Sequence, residues 1–378
     1  MAVLNEEQVM LRDAARDWTQ EKSPVAALRK LRNTKSVSGF DGAAWSDMAK
    51  MGWAGVIIPE AHGGADFGYR SLGLVLEETG RTLTASPLIS TALTAATALM
   101  LGASQAQQAS WLPKIAAGEI VATLAVDETA HHHPSTIALT ATKSGSGYVL
   151  NGTKSFVLDG GVADLLIVVA RTSGAKSDEA GITLFLVDPA AKGLARQNLT
   201  MVDSRAVANL TLNNVEVTAD AVLGTVDGGF AILEETLDRA RAGLAAEMIG
   251  TATQAFEITL DYLKTRTQFG QGIGTFQALQ HRAAKLYTDL ELARSCVQAA
   301  LDAIDEKSND IRALASLAKA KAADVLHLAS NEMVQMHGGI GMTDAHDAGL
   351  YMKRARVAEA TFGGSSYHRD RYAKLGGF

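Results

Sequence analysis

A single cysteine, Cys296, stands in 378 residues. That scarcity excludes an intrachain disulfide and any cluster of cysteine metal ligands. No apolar stretch reaches the ~18 uninterrupted residues that a bilayer-spanning helix needs. Basic residues are not in excess: 35 Lys and Arg against 41 Asp and Glu leave a net charge of -6, with a pI of about 5.9. Such a chain lacks the electrostatic footprint of a nucleic-acid or anionic-membrane binder. No cationic leader with an apolar core opens it, since Glu6, Glu7, Arg12 and Asp13 come early, so a cytoplasmic location is the expectation. Prolines number six against 35 glycines. The glycine excess falls partly in turns, but several pairs stand where a ligand could approach the backbone closely. What remains is ordinary for a soluble globular protein, 47% hydrophobic and 20% charged, and long enough for two or three domains.

Three regions follow one another. Residues 1–120 read as a helical domain. Its segments are Leu4–Trp18, Trp45–Gly52, Tyr69–Gly80, Pro87–Leu101 and Ala106–Ala117, with Gly102 and Gly118 as stops. A polar, serine-rich connection is expected at Asn33–Gly39, and His62-Gly63-Gly64 marks a turn. Residues 121–225 switch to short strand-like runs: Ala122–Val126, Ile137–Lys143, Tyr148–Lys154, Leu165–Arg171, Ile182–Val187 and Asn209–Val217. Asn151-Gly152 reads as a turn, and Thr172–Glu179 as a polar, mobile edge loop. The expectation is a small antiparallel barrel or sandwich. Residues 226–378 return to the helical period in Phe230–Thr265, Thr275–Lys307, Asp310–Met336 and Asp347–Ala360, which fits a four-helix bundle. The fold class is therefore α+β.

Motifs sharpen this order. They are Arg266-Thr267-Gln268-Phe269-Gly270, Phe276-Gln277 and Gln335-Met336-His337-Gly338-Gly339, with Asp127-Glu128 and Asn151-Gly152-Thr153-Lys154 in the β region. Together and in sequence they resemble the acyl-CoA dehydrogenase family over almost the whole chain. The resemblance implies FAD held by loops, helix ends and a neighbouring subunit. It assigns Arg266 and Phe269 to cofactor across a subunit interface, where an arginine suits pyrophosphate oxygens. Gln277 and Gln335 are implied hydrogen-bonding residues, and Gly338 and Gly339 let the backbone pass close to phosphate. Leu124, Val126, Phe156 and Leu158 are implied to face the flavin ring. The family commonly carries tryptophan at the place of Phe156 and threonine at that of Leu158. Phe156 can still shield the ring, whereas Leu158 can offer only backbone groups. For the arginine, the glutamines and the aromatic, local pairing or core packing is the plain alternative.

The resemblance also implies a glutamate that removes the substrate's α-proton, and here both family positions are inert. Gly363 takes one place, in Phe362-Gly363-Gly364-Ser365, and Ala240 takes the other. Glu247 lies seven residues past Ala240, about 10 Å along the helix axis. It reads as a relocated base, a substrate contact in the acyl pocket, or ordinary helix pairing. Asp238 and Arg241 are spaced i,i+3 and read either as a salt bridge or as substrate-binding groups near the thioester. Asp344, His346, Asp347 and the run His131-His132-His133 are not read as metal ligands. The implied activity is α,β-desaturation of an acyl-CoA, with electrons passing to electron-transfer flavoprotein. A homotetramer is expected. The alternatives are an FAD-supporting or structural subunit paired with a related dehydrogenase chain, or a divergent acyl-CoA-binding flavoprotein.

Overall fold

The computed structural model describes residues 4–378, and the chain divides into two compact units, each discontinuous in sequence. The first contains the chain up to Arg29, then Tyr69–Thr84, and then everything from Arg241 onward. The second contains Lys30–Gly68 and Ala85–Ala240.

The first unit is helical. Helix α1 (Glu6–Lys22) starts on a capping box in which the Asn5 side chain and Gln8 bond each other's backbone N–H. Helix α2 (Val25–Thr34), absent from the sequence reading, occupies much of what was expected to lead into a polar connection. Helix α4 (Gly68–Arg81) meets, backbone to backbone, the part of the long α7 (Gly229–Thr265) that belongs to this unit, from Arg241 onward. A Cβ on Gly80 would lie 2.1 Å from the Glu247 carbonyl oxygen, and one on Gly250 only 1.8 Å from that of Glu77. Gly250 therefore serves the crossing, although it weakens the helix intrinsically. Helices α8 (Gln277–Asp305), α9 (Ile311–His337) and α10 (Ala348–Ala360) complete the bundle. A further helix, α11 (Ser365–Leu375), packs on α9. It escaped the sequence reading because its residues are polar all round; its buried anchors are His368 and Arg371.

The second unit holds helix α3 (Gly42–Lys50), helices α5 (Ala96–Gly102) and α6 (Gln105–Ala116), and the sheet. A π-helical turn at Leu88–Ala95 precedes α5. Strands β1 (Ala122–Ala125), β2 (Thr140–Ser144), β3 (Gly147–Leu158), β4 (Leu165–Arg171), β5 (Ile182–Val187), β6 (Leu194–Leu199), β7 (Val207–Val217) and β8 (Val222–Leu223) form one sheet. The order is β6-β7-β3-β2-β4-β5-β8, with β1 beside β4. The sheet is mixed, not purely antiparallel, because β1 and β2 both run parallel to β4. Strand β4 is buried throughout, as its unbroken apolar run requires. Asn151-Gly152 is not a turn: both residues sit inside β3 at a bulge, where a Gly152 Cβ would lie 2.8 Å from the Leu139 Cα. Edge strand β6 was missed because Arg196, Gln197 and Asn198 give it no apolar alternation. The Thr172–Glu179 loop is tied down. The Arg171 guanidinium donates to the carbonyls of Ser173, Lys176, Asp178 and Ala180. Among the described residues no helix is long and apolar enough to cross a membrane.

Candidate active site

Helix α7 ends at Thr265, and a two-stranded hairpin follows, β9 (Thr267–Gln268) and β10 (Gln271–Gly272). Phe269 stands at its tip, 88% exposed, with a backbone φ of 54°. Arg266 is exposed, and its guanidinium meets no carboxylate among the described residues. Gln277 opens α8 and is exposed, and Gln335 lies exposed in the last turn of α9. Gly338 follows α9 at φ 62° and ψ −136°, a conformation suited to glycine alone. Cβ atoms on Gly338 and Gly339 would meet nothing within 4 Å. The end of α7 meets the end of α9: the Tyr262 ring lies 4.3 Å from that of His337, which in turn lies 4.3 Å from His346. Burial holds the His337 imidazole below its ordinary pKa, against a hydrogen bond to the Met333 carbonyl. Arg266, Phe269, Gly338 and Gly339 are all exposed. Asp344 and Asp347 are not aimed there; both bind Arg29.

In the second unit, Leu124 and Val126 are buried, while Phe156 is 46% exposed and has a φ of 54°. Phe156 is therefore not a barrel core residue; its N–H donates to the Asn209 side chain. The Val126 carbonyl accepts from the Lys154 ammonium at 2.8 Å, and the Leu158 carbonyl from the Thr123 hydroxyl at 2.7 Å. Lys154 is fully buried; desolvation lowers its pKa, and the Glu128 carboxylate at 2.9 Å opposes that. Asp127 accepts from the His132 ring at 2.8 Å, so the histidine run supplies a local pair at the end of this strand.

The base positions are closed. Ala240 is wholly buried. Gly363 has a φ of 103°, and a Cβ there would lie 2.5 Å from Tyr367 Cδ1 and 3.0 Å from His368 Nε2. Its neighbour Phe362 is also left-handed, at φ 57°. Glu247 is buried, and its carboxylate accepts from Arg354 Nε at 2.9 Å. To reach a substrate it would have to leave a guanidinium in a dry environment, which is costly. Asp238 is buried, and Arg241 is fully buried. The Arg241 guanidinium donates to the Phe362 carbonyl at 3.4 Å and to the Tyr367 hydroxyl at 3.3 Å.

Sequence reasoning missed Lys319. It is fully buried, and its ammonium donates to the carbonyls of Ala358, Glu359 and Gly363 at 3.0, 3.1 and 3.0 Å. Burial pushes it down to about 7, with Glu359 opposing and Arg241 and Arg354 adding to the shift. A signal existed: Lys319 shares its helix face with Ala315, Ala322 and Leu326, where an exposed lysine would not stand. Cations thus hold two carbonyls near the end of α10 and those of Phe362 and Gly363.

Comparison with known proteins gives three family matches in chain order. They are "Acyl-CoA dehydrogenase, N-terminal domain" at residues 5–119, the middle domain at 123–215 and the C-terminal domain at 227–376. Acyl-CoA dehydrogenase IpdE2 of Mycobacterium tuberculosis is 33% identical over 351 residues, spanning 93% of this chain and 91% of its own. The Caffeyl-CoA reductase-Etf complex subunit CarC of Acetobacterium woodii is 29% identical, spanning 93% of each chain. Among solved structures, a variant of the Tcur3481-Tcur3483 steroid ACAD superposes with a TM-score of 0.89 at 33% identity, covering 98% of both chains.

Proposed function

The chain belongs to the acyl-CoA dehydrogenase family, and on that premise we propose that it binds FAD and introduces an α,β double bond into an acyl-CoA thioester. The observation that carries this reading is the Tyr262–His337 contact between the ends of α7 and α9. The segments that follow those two helices carry an exposed aromatic, an arginine that meets no carboxylate among the described residues, and an open glycine turn, chemistry suited to apolar cover and to an anion. Such residues fit FAD: Arg266 and the Gly338-Gly339 backbone for its phosphates, Phe269 for an apolar part, Gln277 and Gln335 for polar edges. In the second unit, Leu124, Val126, Phe156 and Leu158 fit the ring. When bound, the cofactor supplies a two-electron acceptor for the β-hydrogen. Electron-transfer flavoprotein is the proposed onward acceptor, supported by the similarity to an Etf-complex subunit. A cytoplasmic, tetrameric protein belongs to the same proposal.

A second reading has its own support. Neither base position carries an acid, and Glu247 is engaged by Arg354. The chain then supplies cofactor contacts to a heteromer whose related subunit holds the carboxylate, in keeping with a similar structure named for two components. Native purification from the source cells tests both readings, followed by flavin stoichiometry, partner identification and anaerobic reduction with a panel of acyl-CoAs. A folded protein that cannot be reconstituted with FAD overturns both. A copurifying relative with an acid at either base position selects the heteromer.

A further inference from the structure

Two motifs of the β region meet inside the second unit. Glu128, from the Asp127-Glu128 pair after β1, lies 2.9 Å from the ammonium of Lys154, which closes Asn151-Gly152-Thr153-Lys154 in β3. Lys154 is wholly buried and sits between two register shifts of the β3–β7 ladder, where side chains are re-aimed. The same ammonium donates to the Val126 carbonyl at 2.8 Å. We propose that Lys154 is a positioning residue for the flavin: its hydrogen bond holds the peptide joining Val126 to Asp127 in the arrangement that receives the ring, and Glu128 keeps the ammonium in place. The proposal rests on the FAD reading above.

The bond leaves this peptide segment with donors only. Lys154 takes the Val126 carbonyl, and the Ser155 N–H takes that of Asp127 at 2.7 Å. Neither the Val126 N–H nor the Asp127 N–H meets an acceptor among the described residues, although Val126 is buried. Buried N–H groups are rarely left unpaired. The edge of a flavin ring carries carbonyl oxygens and ring nitrogens that accept, so N–H groups held in place suit it. The Leu158 carbonyl is likewise occupied, by the Thr123 hydroxyl.

The lysine is itself fixed at both ends. Glu128 Oε2 accepts from the Ala138 N–H at 2.8 Å and Oε1 from the Leu139 N–H at 2.9 Å, so the carboxylate is tied to the chain ahead of β2. Burial disfavours the ammonium, and Glu128 and Asp127 oppose that; Asp127 is also engaged by His132. For packing alone, an apolar side chain of similar volume would serve the sheet as well as a buried ion pair does. A fixed donor to the Val126 carbonyl is what the lysine adds.

Three variants separate positioning from folding. Lys154→Met removes the donor and keeps the volume. Lys154→Met with Glu128→Gln also removes the carboxylate charge that would otherwise be buried unpaired. Glu128→Gln alone keeps the amine, charged or neutral, as donor to Val126. Flavin fluorescence titration of the full chain freed of cofactor should show both lysine variants binding FAD about 10-fold or more weakly, with an altered visible spectrum of the bound flavin. Glu128→Gln should bind FAD as the wild type does, even where urea unfolding shows it less stable. Wild-type affinity in Lys154→Met overturns the proposal, and so do three variants weakened alike in step with their stability. Hydrogen exchange without cofactor gives an independent reading. In the lysine variants the peptide containing Ser155, whose N–H bonds Asp127, should exchange faster, while that of β4 stays the same. A wild type that binds FAD, with exchange at Ser155 unchanged in the variants, overturns the proposal alone. A wild type that binds no FAD overturns the reading beneath it, and the proposal with it.

Discussion

Three phenylalanines hold left-handed backbone conformations: Phe156, Phe269 and Phe362. For a bulky residue this costs about 1–3 kcal/mol, a strain that clusters at functional sites. Two of the three stand at positions fitted to the flavin, and the third adjoins the closed base position. Gly363 continues that turn, so restoring an acid should fail. Gly363→Glu combines φ 103° with a Cβ 2.5 Å from the Tyr367 ring. It should lower stability by about 1–3 kcal/mol and yield no acyl-CoA-dependent flavin reduction. A stable, faster variant, seen by urea denaturation and stopped-flow absorbance, would show that the turn can reopen. Glu247 invites the converse experiment. Its contact with Arg354 is a buried, charge-assisted hydrogen bond, typically worth about 1.5–3 kcal/mol. Glu247→Gln should therefore lose roughly that much stability in chemical denaturation. Unchanged stability with abolished flavin reduction would return Glu247 to the role of base.

At the scale of elements, the end of α10 is held by a side chain from α9. The Lys319 ammonium bonds three carbonyls there and joins α9, α10 and the turn into α11. Unfolded, a lysine titrates at ~10.4; folded, burial lowers this one to about 7. Between those values the unfolded chain holds the extra proton, so this group's contribution to stability rises with pH. Below about 7 both states are protonated, and the cost of burying the charge is felt in full. Relative to Lys319→Met, the wild type should gain stability across that window, as read from urea curves at stepped pH. A flat difference would mean that the three carbonyls keep the ammonium charged throughout. Elements were legible in the sequence to the extent that their apolar residues repeated. Strands β4 and β5 match the runs expected for them residue for residue. Strand β6 and helix α11 lack such a pattern: one is a polar edge, and the other is anchored by a histidine and an arginine.

For the whole molecule, the surface bearing Phe269 is the main consequence. Phe269 at 88% exposure and Met342 at 79% are apolar area that an isolated chain leaves in water. If cofactor and a second subunit cover it, FAD retention and assembly should be coupled. Arg266→Ala should weaken FAD retention by about 10-fold or more while the thermal unfolding of the apo-protein stays the same. Flavin fluorescence after gel filtration, with light scattering for mass, measures both. A monomer with full FAD occupancy would break the link between cofactor and assembly.

The sequence by itself determined the order of helical, β and helical regions, because hydrophobic period depends on neighbours a few residues apart. It also determined the motifs of the proposed flavin surface and the absence of an acid at Gly363 and Ala240, which are matters of residue identity. Tertiary structure alone decided the rest. Whether Asn151-Gly152 turns or bulges depends on which strand lies alongside, and β7 settles it. Whether Glu247 faces a ligand or an arginine depends on α10, over a hundred residues away. That Gly363 admits no side chain follows from its left-handed turn and from the Tyr367 ring packed against it. Local pattern carries none of these, since each is a contact whose geometry exists only once the chain has packed.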